Sequence, residues 1–229
     1  MWTDAMQAII ESSRDIGWIM EPEAKRLMSL YGIEIPPYAW VRSHAEVKAA
    51  AEQLGFPLAA KVVSPKVVHK SDVGGVAVGI DTLEVLMEVF ERFSKIDGFL
   101  GMHVEAMAKG VELIIGSVVD RQFGPVVLLG IGGTSVEIYK DTAVRMAPIT
   151  ERDVADMVDS LKGRALIQGY RGGTVVSMDH LSHLLVNFSH MVMDLEGQIA
   201  SIDLNPVIAS ENACVIADAR IMLAGDGKA

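Results

Sequence analysis

Two rhythms of apolar and polar positions alternate along the chain. Residues 4–14 carry a helical period and predict a short amphipathic helix. Pro22 suits the first turn of the next helix, with Gly32 past its end. Residues 33–37 predict an extended entry. Ser43 and Glu46 form a capping-box pattern before a helix carrying Val47, Ala50, Ala51 and Leu54, closed by Gly55. A strand, a polar loop and a second strand follow over 57–80. Asp81 and Glu84 then predict the start of a helix with Leu86, Phe90 and Phe93 on its inner face. Beyond residue 110 the rhythm changes. Residues 111–119, 125–129 and 135–139 alternate like consecutive strands, separated by turns at Asp120-Arg121-Gln122 and Gly130-Ile131-Gly132-Gly133. That spacing predicts an antiparallel meander. Thr150 and Asp153 predict a capped helix with Val154, Met157, Val158 and Leu161 inward and Gly163 as its stop. A longer helix over 178–195 places Leu181, Leu184, Leu185, Phe188, Met191 and Val192 on one face, and two strands, 199–203 and 213–219, close the chain. The fold class read from this order is α+β, a mixed α/β chain in three parts. These are an N-terminal helical segment (1–20), a first lobe (21–106) and a second lobe (107–229).

Composition narrows the function. The chain has 229 residues, half of them apolar and 6% aromatic, so Val, Ile, Leu, Met and Ala build its core. A net charge of −10 argues against a nucleic-acid partner, which usually meets a basic stripe. It leaves nucleotide binding open, because local lysines and Mg²⁺ neutralise phosphates. Cys214 is the single cysteine, which rules out an intrachain disulfide and fits a reducing cytoplasm. The start of the chain lacks a signal-peptide pattern, and no apolar run reaches 18 residues, so a cytoplasmic protein without a membrane span is expected.

The richest chemistry lies in Lys61-Val-Val-Ser-Pro-Lys-Val-Val-His69-Lys70-Ser71-Asp72-Val73-Gly74-Gly75-Val76. An apolar strand delivers a lysine, and a polar loop adds a histidine, a second lysine and a glycine pair. Cations neutralise a polyphosphate, and glycine lets backbone N–H groups approach it. The pattern is neither a P-loop nor a dinucleotide glycine fingerprint. Lys61 reads either as a phosphate ligand or as a strand lysine snorkelling to water. Asp203-Leu204-Asn205-Pro206, with Asp218 thirteen residues after Asn205, offers oxygen ligands for Mg²⁺ or a plain Asx turn before proline. Asp203 is two residues before Asn205 and shares its strand face. His180, His183 and His190 lie off the apolar face of one helix and read as solvated; Cys214 and the methionines read as core.

At these residues the chain resembles the ATP-grasp domain of ADP-forming acyl-CoA synthetases, the beta-subunit type, and more distantly the beta subunit of succinyl-CoA ligase. The resemblance runs from about Glu21 to Ile221. It is carried by His69-Lys-Ser-Asp-Val-Gly-Gly75, Phe123-Gly-Pro125, Gly130-Ile-Gly-Gly133 and Asp203-Leu-Asn-Pro206. It implies an ATP-grasp fold with two lobes enclosing the nucleotide, ATP/ADP and Mg²⁺ as cofactors, and an acid-thiol ligase that is active only with a partner. Asn205 and Asp218 would hold Mg²⁺, with Asp203 behind them. Lys61, Lys70, Gly74, Gly75, Glu105, Met107, Glu112 and Arg145 would bind the nucleotide. Glu105 and Glu112 also read as outward acidic residues on half-exposed strands. Glu137 and Lys140 stand beside the glycine turn, and Ser135 replaces the family's bulky apolar residue. His69 would pass a phosphoryl group between sites or bind phosphate as a donor. The main phosphohistidine would lie on a CoA-binding alpha subunit, in an α2β2 assembly. The other readings are an ATP-grasp ligase joining a carboxylate to an amine, and a nucleotide-sensing module.

Overall fold

The computed structural model describes residues 3–120, 122–133 and 141–225. The strand expected at 135–139, and with it Ser135, Glu137 and Lys140, lies outside them, as does Arg121. The chain divides into two compact units. The larger comprises Met1–Ile19, Glu23–Ile35 and Lys109–Ala229; the smaller comprises Met20–Pro22 and Pro36–Ala108. This grouping differs from the partition at 20/21 and 106/107. Residues 23–35 go with the larger unit because Ala24, Leu27 and Met28 are buried in its core. Residues 3–19 join it for the same reason, through Met6, Ile9 and Ile10.

Helix α1 (Asp4–Ser13) is capped by Thr3, whose hydroxyl accepts the Met6 N–H. Strand β1 (Trp18–Ile19) follows, then α2 (Glu21–Leu30), which ends where Gly32 takes φ +71°. Fully buried Lys25 on α2 donates to the Ala217 carbonyl at 2.9 Å.

The smaller unit holds β2 (Tyr38–Val41), α3 (His44–Leu54), β3 (Leu58–Val63), a 3-10 turn (Lys70–Val73), β4 (Val76–Ile80), α4 (Leu83–Phe93) and β5 (Gly101–Ala106). Its sheet runs β2-β5-β3-β4, antiparallel at every pair. All six residues of β3 are buried, which explains its unbroken apolar run around Lys61. Ser43 caps α3 as expected, and the Glu46 carboxylate accepts the Arg42 N–H. Thr82, rather than Asp81, caps α4: its hydroxyl accepts the Val85 N–H. Leu86, Val89, Phe90 and Phe93 then face the core.

The larger unit adds β6 (Val111–Asp120), β7 (Gly124–Ile131), β8 (Thr142–Met146), α5 (Glu151–Ser160), α6 (Arg164–Ile167) and α7 (Met178–Asp194), followed by β9 (Ile199–Ala209), β10 (Cys214–Ile216) and β11 (Arg220–Leu223). The sheet order is β1-β11-β9-β6-β7-β8, with β10 also on β9, again antiparallel. β6, β7 and β8 form the meander, so the strand that pairs with β7 here is 142–146. The β6–β7 turn is fixed by Asp120, whose carboxylate accepts the Gln122 and Phe123 N–H groups; those bonds hold its pKa below the ordinary value. Among the described residues, three strands close the chain instead of two. β9 does not stop at Asp203 but runs on to Ala209, because a bulge between the Leu113–Val207 and Ile115–Leu204 pairs takes up one extra residue. The proline sits in that irregularity, where no ladder N–H is needed. Among the described residues, no helix is long and apolar enough to cross a membrane.

Candidate functional site

In the smaller unit, strand register brings the charged residues together. Lys61 on β3 pairs with His103 on β5, and Ala59 pairs with Glu105. His103 and Glu105 are two residues apart and share a face. Lys61 is 6% exposed, and its Nζ donates to Glu105 Oε1 at 2.7 Å and to Glu21 Oε1 at 2.8 Å. Glu21 Oε2 lies 3.0 Å from Lys70 Nζ. His103 Nε2 is 3.1 Å from Glu105 Oε2, and its ring stacks on Tyr38 with centroids 4.7 Å apart. Burying an ammonium group is costly unless opposite charges and hydrogen bonds surround it. Two carboxylates do so here, and Lys61 does not snorkel. Glu105 therefore faces inward to this cluster, not outward. The Glu21–His103–Glu105 group has metal-like spacing, but the Lys61 ammonium already stands against both carboxylates.

His69 is exposed and occupies the N-cap position of the 3-10 turn, with φ −108° and ψ 93°. Gly74 ends the turn at φ +64°, and its N–H donates to Ser71 O; the Gly75 N–H donates to Lys70 O at 2.8 Å. Both glycine amides thus close the turn, so phosphate binding is not what demands glycine here. Met107 accepts the Gly79 N–H on sulfur at 3.0 Å.

In the larger unit, the bulge of β9 carries Asn205 with an exposed side chain. The N–H groups of Ala217 and Asp218 both donate to Pro206 O, at 3.1 and 3.3 Å. Asp218 is therefore folded against the residue next to Asn205, as two closing strands would require. Asp203 sits opposite Arg220 and accepts from its Nη2 at 3.0 Å. Asp203 is thus engaged by a guanidinium, while Asn205 carries an amide oxygen and Asp218 a carboxylate, ligand types that Mg²⁺ takes. Glu112 is exposed on β6, one strand over, and its carbonyl accepts the Gly132 N–H. A Cβ on Gly132 would come within 2.8 Å of that backbone, so the glycine turn must close directly on Glu112. Arg145 on β8 donates to the Val144 carbonyl of its own strand at 2.9 Å.

Elsewhere, His180 Nδ1 lies 3.4 Å from Glu34, and His183 Nε2 is 3.1 Å from both the Gly32 carbonyl and Asn187 Nδ2. Burial, with the Glu34 carboxylate adding to it, pushes the Cys214 thiol up to about 12.

A family model described as an ATP-grasp domain matches residues 11–223. The chain belongs to the ATP-grasp family. This ATP-grasp chain is 37% identical over 213 residues to the beta subunit of acetate–CoA ligase (ADP-forming) I of Pyrococcus furiosus, covering 90% of this chain and 91% of that one. Among solved structures it is similar to the dinucleotide-forming acetyl-coenzyme A synthetase 1 of Candidatus Korarchaeum cryptofilum in complex with coenzyme A, Ca-AMPCP and HgCl+. The TM-score is 0.88 at 35% identity, covering 95% of this chain and 99% of that chain. Another structure of the same synthetase holds coenzyme A and Mg-AMPPCP, with a phosphohistidine segment pointing towards the nucleotide binding site. It matches with a TM-score of 0.82 at 34% identity, covering 96% of this chain and 100% of that chain.

The sequence motifs passed over Glu21, His103 and Tyr38. Two signals were available: polar His103 and Glu105 alternate within the apolar strand Gly101–Ala106, and an acidic residue stands directly before Pro22.

Proposed function

We propose that this chain is the nucleotide-handling subunit of an ADP-forming acyl-CoA synthetase. The overall reaction is acyl-CoA + ADP + phosphate ⇌ carboxylic acid + CoA + ATP. The observation that carries the reading is the near full-length likeness to a protein named as a beta subunit of such a ligase. The partner is a CoA-binding subunit that carries the main phosphohistidine, in an α2β2 assembly.

In this reading the neutral imidazole of His69 attacks the phosphoryl group held on the partner's histidine. One N–P bond breaks as another forms. A terminal oxygen of ADP then attacks the same phosphorus, and the imidazole leaves as ATP forms. Lys61 and Lys70 supply positive charge beside the His69 turn, and Gly74 and Gly75 keep that turn tight. Glu105 holds Lys61, Met107 meets the base, and Glu112 and Arg145 orient the ribose and phosphates. Asn205 and Asp218 hold Mg²⁺, with Asp203 and its Arg220 partner behind them. When bound, Mg²⁺ neutralises phosphate charge.

Calorimetric titration with ADP and ATP, with Mg²⁺ and with chelator, tests the nucleotide half. Saturable Mg²⁺-dependent binding that Asn205→Ala weakens about tenfold or more is expected, the scale of a lost metal-site contact. Binding indifferent to Mg²⁺ and to Asn205→Ala would remove the metal assignment. Turnover of acid, CoA and ATP by the chain alone would remove the partner.

A further inference from the structure

Glu21 opens α2 and is 4% exposed. Its two oxygens serve two lysines: Oε1 accepts from Lys61 at 2.8 Å, and Oε2 lies 3.0 Å from Lys70 Nζ. One carboxylate thus ties the central strand β3 to the turn that begins immediately after His69. The backbone of Lys70 is held as well, since its carbonyl accepts the Gly75 N–H. If Glu21 lost its charge, Lys61 would keep Glu105 at 2.7 Å, and the side-chain bridge from Lys61 to Lys70, beside His69, would go, while the backbone bond from Val62 N–H to Gly75 O would remain.

From this geometry we propose that Glu21 is a positioning residue for phosphoryl transfer: it fixes Lys70, and through Lys70 the turn that presents the His69 imidazole. The inference rests on the function proposed above and adds a residue forty positions upstream of Lys61.

The test uses the chain assembled with its CoA-binding partner. ATP formation from acyl-CoA, ADP and phosphate is measured for the wild type, His69→Asn, Glu21→Gln and Glu21→Asp, together with the Mg-ADP Kd of each. Misplacement of a reacting group is expensive in rate, so kcat should fall about tenfold or more in Glu21→Gln while Kd stays within about threefold. Glu21→Asp keeps the charge and loses a methylene, whereas Glu21→Gln keeps the shape and loses the charge. A charge bridge makes the aspartate variant the faster of the two; a packing role makes it the slower. Glu21→Gln within about twofold of wild-type kcat, or an aspartate variant slower than the glutamine variant, overturns the inference. So does a Kd that weakens as much as kcat falls. If Glu21→Gln fails to fold, Lys70→Gln removes the other end of the same bridge, and unimpaired turnover there overturns the inference. An inactive wild-type complex, or a fully active His69→Asn, defeats the proposed function and this inference with it. An inactive His69→Asn beside an unimpaired Glu21→Gln defeats the inference alone.

Discussion

Gly75 is required by contact. A Cβ there would overlap Val62 Cγ1 and stand 3.0 Å from the Lys70 carbonyl. Val62 is buried and stiff at χ1, so it cannot step aside. Gly75→Ala should destabilise the protein by about 1–3 kcal/mol, the range for overpacking a fixed site. Gly74 has open space and φ +64°, so Gly74→Ala should cost about 1–2 kcal/mol through backbone conformation alone. Chemical denaturation separates them: a Val62→Ala background should relieve Gly75→Ala and leave Gly74→Ala unchanged. If Val62→Ala relieves neither, the contact account is wrong. The glycine pair was legible in the sequence as a special position, but its reason was not. Sequence offers phosphate approach as the motive; the structure assigns both amides to the turn. Lys61 was legible as a charge that needed a purpose, whereas its carboxylate partner at position 21 was not, because spacing along the chain does not say which helix start meets which strand.

At the scale of elements, caps and periods were the most readable features, and strand ends the least. The Thr150 capping box appears in full: the Thr150 hydroxyl accepts the Asp153 N–H, and the Asp153 carboxylate accepts the Thr150 N–H at 2.8 Å. All six apolar residues read as the inner face of α7 are buried, and Ser182 and Ser189 are buried beside them. The helix after β4 was anticipated, but its cap is Thr82 and not Asp81; both are good caps, and the side chain in register with Val85 N wins. The sequence pattern ends β9 at Asp203, where an Asx turn before proline is an alternative, while a bulge lets the ladder continue to Ala209. The Thr150 box carries a prediction. The hydrogen bonds from the Thr150 hydroxyl and N–H hold the Asp153 carboxyl below its ordinary 3.8, with Arg145 and Arg152 adding a smaller pull. Above 3.8 the carboxylate is charged both folded and unfolded, so its stabilisation is complete. It is lost as pH falls through the lower, folded value. Thr150→Ala should cost about 1 kcal/mol near neutral pH. The gap between the wild type and Asp153→Asn should narrow steadily below pH 3.8 in denaturant midpoints. A gap that stays constant with pH would mean that the charged form contributes nothing.

For the whole molecule, the compact units draw their boundary differently from the sequence partition at residues 23–35. Their helix is continuous with Glu21 and Pro22, which belong to the smaller unit, while Ala24, Leu27 and Met28 are buried in the larger core. Among the described residues, most of the buried apolar side chains fall into two separate clusters. Phe188, Leu184 and Leu204 belong to one; Phe93, Leu86 and Met102 belong to the other. Each cluster is built by its own sheet and helices, which is the condition for cooperative units that open independently. Unfolding should therefore proceed in two steps, with a van't Hoff enthalpy below the calorimetric one. Phe93 and Phe188 are both fully buried, and truncating either to alanine should remove about 3–5 kcal/mol from its own core. Phe93→Ala should lower the midpoint of one transition and leave the other in place, and Phe188→Ala should do the reverse. Differential scanning calorimetry of the two variants decides the matter: one shared transition that both substitutions lower equally would mean that the two cores unfold as a single unit, despite being assembled from separate sheets.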